Sequence, residues 1–145
     1  MDMTPQEYQD YIKKKAPKSP IAKNTALAFL TGGAICVLGQ LIMNGFRSLG
    51  LDKTDAGTAT SITLVFLAAL ATGMNVYNSL ARFAGAGTLV PITGFANSVV
   101  SPAIDFKAEG IVTGMAAKMF VIAGPVIVFG TLSSVVYGVV LMLLK

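Results

Sequence analysis

Gly85-Ala-Gly-Thr-Leu-Val-Pro-Ile-Thr-Gly-Phe-Ala-Asn-Ser-Val-Val-Ser101 runs through the middle of the chain without a charged residue. Its glycines and proline break it too often for an ordinary membrane helix, yet it is too apolar for an ordinary loop. Irregular backbone survives at membrane depth only where other protein buries it or where it lines water, because hydrocarbon cannot satisfy free N–H and C=O groups. The stretch therefore points to a pore or binding element, provided that the rest of the chain puts it in a membrane.

Composition does so. Of 145 residues, 54% are hydrophobic and 12% charged, about half the charge fraction of a soluble domain, and the mean hydropathy is +0.70. A soluble helical core of this size would need far more charge on its surface. Uncharged segments run from Asn24 to Phe46, Ala56 to Ala81, Phe83 to Ile104 and Met119 to Leu144, each near or above the roughly 20 residues that cross a bilayer. The fold class expected is all-α: a polytopic integral membrane protein with three to four transmembrane helices and a discontinuous or re-entrant segment around residues 85–101. Residues 1–23 form a basic N-terminal segment and 24–145 a single transmembrane domain.

In the N-terminal segment Thr4 is placed to cap a helix that starts at Pro5, with Glu7 in the capping-box position and Tyr8, Tyr11 and Ile12 along one side. Pro17 and Pro20 end it, and the alternative for this segment is a disordered tail with solvated charge. Lys13, Lys14, Lys15, Lys18 and Lys23 precede the first apolar segment, so the positive-inside rule puts the N-terminus in the cytoplasm. The polar start and the lack of a small-residue cleavage motif argue that the first apolar segment is kept rather than removed. Topology explains the lysines better than a nucleic-acid partner would.

The first span is read as Asn24 to Gly45, with Gly32, Gly33 and Gly39 allowing close helix approach. Arg47 to Asp55 forms a polar loop and Thr58 to Leu80 returns the chain, so that Asn75 and Asn78, three apart, share a helix face. They serve either as an interhelical bond or as pore lining. After Gly85, Ala86 and Gly87 allow a tight turn, Val90 before a proline disfavours helix, and Pro91 suits the first turn of a new one. Its free N–H groups, with Thr88 and Thr93 nearby, would make an anion site, or else the stretch is a kink satisfied by a neighbouring helix. Asn97, Ser98 and Ser101 continue a polar face before Pro102. Crossing is the simpler reading for Pro91 to Ile104. The last span starts near Lys118, snorkelling to the headgroups, and Gly124-Pro125 makes a second kink.

Enzymatic chemistry is not expected. The chain has no His, its lone Cys36 lies inside an apolar segment, and all seven carboxylates fall outside the uncharged spans, so no His-based triad, ordinary zinc site or intramembrane proton carrier can be assembled. No metal site and no cofactor are expected.

The residues Phe83 to Ser98, with Phe29-Leu-Thr-Gly-Gly-Ala-Ile-Cys-Val-Leu-Gly-Gln40 before them and Lys107-Ala-Glu-Gly110 after, strongly resemble the stage V sporulation protein AC/AE membrane family. The likeness covers most of the chain, and the lysine-rich extension fits the AC branch better than the shorter AE branch. The resemblance implies a spore inner-membrane protein that acts with other stage V A-group proteins, an AE-like membrane subunit and a soluble AD-like subunit. Its implied cargo is dipicolinic acid, largely as the calcium chelate, moved in during sporulation and out during germination, with mechanosensitive channel behaviour. On that reading Thr88, Thr93 and the N–H groups near Pro91 contact carboxylates, while Asn75, Asn78, Asn97 and Ser98 extend the polar path. Gly85, Gly87, Pro91, Gly94, Gly124 and Pro125 supply breaks and hinges. A membrane scaffold that recruits soluble partners without lining a pore is the rival, and flux through liposomes separates the two.

Overall fold

A computed structural model describes residues 4–16 and 19–144. Pro17 and Lys18, read above as a helix stop and part of the basic cluster, lie outside the described residues. The architecture is all-α: α1 Pro5–Lys15, α2 Ile21–Ser48, α3 Lys53–Gly73, α4 Val76–Ala84, α5 Ala86–Leu89, α6 Ile92–Asp105 and α7 Ala117–Leu143. Between α6 and α7 lie a 3-10 turn, Lys107–Glu109, and a π-helical stretch, Ile111–Ala116, that runs straight into α7.

Three of these helices are long and apolar enough to cross a membrane: α2, α3 and the continuous run Ile111–Leu143. At 1.5 Å per residue, the 14 residues of α6 make a rod of roughly 21 Å, short of the roughly 30 Å hydrocarbon core. The fourth apolar region is thus a broken segment beside three long helices.

The N-terminal helix forms as its residues dictate. The Thr4 hydroxyl accepts from the Glu7 N–H at 3.3 Å and the Thr4 N–H donates to the Glu7 carboxylate at 2.9 Å, so two of the otherwise orphaned donors at the helix start are satisfied reciprocally. The N–H and hydroxyl of Thr4 together hold the Glu7 carboxyl below the usual glutamate range.

α2 begins at Ile21, three residues before the expected boundary, and ends at Ser48, so the connection to α3 shrinks to Leu49–Asp52. Asp52 caps α3 by accepting from the Asp55 N–H at 2.7 Å. α3 buries Ala56, Thr60, Leu64, Ala68 and Thr72, a ridge with a spacing of four whose small members let neighbouring helices come close. The Thr60 and Thr72 hydroxyls lie 2.7 Å from the carbonyls of Ala56 and Ala68, one turn back. Polar side chains can therefore sit in this seam without an exposed hydrogen-bonding group.

The expected continuous helix from Thr58 to Leu80 does not form. α3 stops at Gly73, and Asn75 adopts φ 59°, ψ 13°. Asparagine tolerates this left-handed conformation better than most residues and can end a helix where glycine would. Asn75 and Asn78 therefore do not share a face of one long helix: Asn75 is the corner itself, and the Asn78 amide donates to its side chain at 3.0 Å.

Nothing in α2 is buried, and in α7 only Ala123 is. Phe29, Leu41, Phe66 and Phe129 are each more than 60% exposed, a surface that suits lipid or another membrane helix. α7 passes through Gly124 and Pro125 without interruption.

Acidification should loosen α1. A carboxyl with a depressed pKa stabilises the fold above its unfolded value and loses that contribution as pH falls through the folded value. A carbonyl NMR titration of the detergent-solubilised chain should give Glu7 a midpoint below the usual glutamate range, and the protection of its amide relative to the intrinsic exchange rate should fall through the same range.

Candidate functional site

The expected break is present, with more structure than a turn. Gly85 ends α4 at φ 53°, ψ −124°, a region closed to residues with a Cβ. The chain then makes the single turn α5 before Val90 and Pro91. Val90 keeps a helical conformation despite preceding proline. Pro91, at φ −63°, ψ 163°, stands just before α6 rather than as its first residue, and its carbonyl accepts from the Gly94 N–H at 2.8 Å.

A side chain that sequence reasoning passed over holds this segment in place. Tyr77 on α4 is 5% exposed, and its hydroxyl donates to the Thr88 carbonyl at 2.7 Å. The same oxygen lies 3.0 Å from the Thr93 hydroxyl. A phenol has one proton and a carbonyl can only accept, so with that proton committed to Thr88 the phenol oxygen accepts from Thr93. One aromatic side chain thus ties α4 to the residues on both sides of Pro91. Its ring completes a small core with Ala68 and Ala96, against which Ala71 packs. A tyrosine between two asparagines, in an otherwise uncharged segment, was the available signal.

A second tie joins α3 to α6: the Thr72 hydroxyl lies 2.9 Å from the Asn97 side-chain amide. On the other side α5 meets α2 backbone to backbone. A Cβ on Gly87 would collide with the Ala28 carbonyl and the Thr31 hydroxyl, and one on Gly94 with the carbonyls of Thr88 and Leu89. Glycine is required at both positions unless the neighbouring backbone shifts. Gly85 is different: a Cβ there meets nothing within 4 Å, so its backbone angle alone demands glycine.

The remaining candidate residues divide clearly. Thr88, Thr93 and Ser98 are buried, and each hydroxyl is engaged within the fold, Thr88 with the Gly85 carbonyl at 3.0 Å and Ser98 with that of Phe95 at 2.7 Å. They shape the break, as does Pro91, which is half-buried. Asn97 is half-buried beside them, whereas Asn75 and Asn78 form a separate pair at the α3–α4 corner. Gly124 and Pro125 lie apart on α7. What the break presents outward is apolar: Leu89 is 68% and Val90 83% exposed.

Sequence reasoning also passed over α2's outer face, where Gln40 donates to Asn44 at 2.9 Å with both side chains exposed. Two amides within a helix of spanning length leave an acceptor and donors unpaired, and hydrocarbon offers them no partner.

These features define a polytopic α-helical membrane protein organised round a broken helix that is packed against its three long helices. The model for the SpoVAC/SpoVAEB sporulation membrane protein family matches residues 24–140, and the chain belongs to that family. It is 42% identical over 136 residues to the stage V sporulation protein AC of Bacillus subtilis (strain 168), an alignment covering 93% of this chain and 91% of that protein. No solved structure matches it.

Two variants separate the ties. Tyr77→Phe strands a buried carbonyl and should cost about 1–3 kcal/mol of stability; Gly87→Ala, through its clash with α2, should cost about 1–3 kcal/mol as well. Thermal unfolding in detergent should show both lowered, with Gly33→Ala, where a Cβ meets nothing within 4 Å, close to the parent.

Proposed function

We propose that this chain is a non-enzymatic subunit of a multi-component channel that moves dipicolinic acid, largely as its calcium chelate, across the spore inner membrane. The observation that carries the reading is the break between α4 and α6. The chain commits a buried tyrosine, two threonines and two obligatory glycines to holding an interrupted helix against α2 and α3, where a continuous helix would satisfy its backbone unaided. The outcome is a rigid corner whose outward tip is Leu89 and Val90.

An apolar constriction of this kind controls passage by dewetting and opens when its walls separate. Polar groups then have two places along the path: Asn97 behind the tip, and the outward amides of Gln40 and Asn44 on α2. Thr88 and Thr93, already engaged, act by holding the break rather than by meeting the anion directly. Three long helices and one broken segment leave most of the apolar surface uncovered, which supports completion of the wall by further copies or by an AE-like membrane subunit, with a soluble AD-like subunit outside the membrane. The N-terminal lysines favour a cytoplasmic N-terminus.

Release of dipicolinate from liposomes containing the purified complex tests this. Val90→Asn should leave assembly intact and raise basal leak several-fold, because a polar group keeps the constriction wet, and Asn97→Leu should slow release. Parent-level flux in both variants would sink the pore assignment. Failure of assembly in variants of a complex that shows no flux of its own would establish the scaffold instead.

A further inference from the structure

Beside the break a cavity of about 460 Å³ opens between the first turns of α2 and the α4–α5 corner. Its volume is within the range of small-molecule sites, about 300–1,000 Å³. Asn24, Thr25, Arg82, Phe83 and Gly85 are among its lining residues, and no carboxylate is. Charge and hydrogen-bonding capacity are therefore biased toward donors.

Those donors are uncommitted. Among the described residues the ion pair present joins Lys13 to Asp10, so Arg82 has no carboxylate partner there. Most threonines in the long helices fold their hydroxyls back, as Thr31 does onto the Leu27 carbonyl at 2.7 Å, but Thr25 makes no such bond among the described residues. Phe83, next to the cation in sequence, leaves its side chain 62% exposed. The positive φ of Gly85 turns the chain sharply after Ala84 and keeps this corner free of a side chain.

We propose that this cavity binds a small planar carboxylate. The Arg82 guanidinium pairs with it through two parallel N–H···O bonds, the geometry that distinguishes arginine from a point charge. The Asn24 amide and Thr25 hydroxyl donate to the same anion, and the Phe83 ring covers its flat face. A cleft with one cation and no permanent counter-charge can bind an anion and let it leave, as a conducting path requires. The assignment of dipicolinate as the natural occupant rests on the channel reading above; the anion site does not. A lipid phosphate shares enough of this chemistry to compete for the same guanidinium.

Titration calorimetry of the full chain in phosphatidylcholine nanodiscs, with dipicolinate as the probe, tests the site. Arg82→Gln should weaken binding by about ten-fold or more, the scale of one charge-assisted pair, and Arg82→Lys should recover only part of it. Circular dichroism should show both variants helical, since Arg82 is exposed. Parent-like affinity in Arg82→Gln overturns the proposal. So does stronger competition from phosphatidylglycerol or inorganic phosphate than from a second planar dicarboxylate, which would assign the cleft to a headgroup. Arg82-dependent binding without liposome flux would sink the channel reading and leave the site; flux with Arg82-independent binding would do the reverse.

Discussion

One hydroxyl group governs this structure. A helix interrupted inside a membrane leaves backbone groups that lipid cannot satisfy, and here the buried carbonyl of Thr88 is answered by the phenol of Tyr77. The same oxygen engages Thr93 beyond the proline, so the two sides of the break are fixed relative to each other by a group on a third element. α4 has to turn back over the break for this to happen, and the left-handed Asn75 provides that turn. The corner, the tyrosine and the break thus form one unit: remove the corner and the phenol no longer reaches its partners.

Much of the molecule was legible in its residues, and the division follows locality. Class, the apolar character of the three long helices and the capping box at Thr4 and Glu7 come from composition or from neighbours three residues apart, and such interactions need no tertiary partner. The break at Gly85 was legible because glycine and proline constrain the backbone wherever they stand. The end of α3 was not: apolar residues continue past Gly73, and nothing local announces that Asn75 will be left-handed. The carboxylate-binding assignment of Thr88 and Thr93 treated their hydroxyls as available. Sequence shows which groups can donate but not which are already engaged: the Thr88 hydroxyl turns to the Gly85 carbonyl three residues back, and that of Thr93 to a tyrosine sixteen residues away.

A consistent treatment of polarity runs through the long helices. Thr31, Thr60, Thr63 and Ser134 all direct their hydroxyls to carbonyls of their own helix, so these side chains contribute small volume rather than polarity to the packing. Against that background the exceptions carry information. Gln40 and Asn44 satisfy only each other, on a face that their own chain leaves open, and amides placed so belong beside water or another subunit.

The π-helical stretch before α7 has a consequence for how this chain tolerates change in length. The Met115 N–H bonds to the Gly110 carbonyl at 2.9 Å, five residues back, so the turn holds one residue more than an α turn. Gly114 and Ala123 are both buried, although nine residues of uninterrupted α-helix would set them about half a revolution apart. The surplus residue takes up part of that angle. Losing one residue within Ile111–Ala116 would let the turn relax to ordinary α geometry with α7 still in phase, whereas the same loss in α6 would rotate every following contact. This short segment is where the chain can shed a residue without rebuilding the bundle.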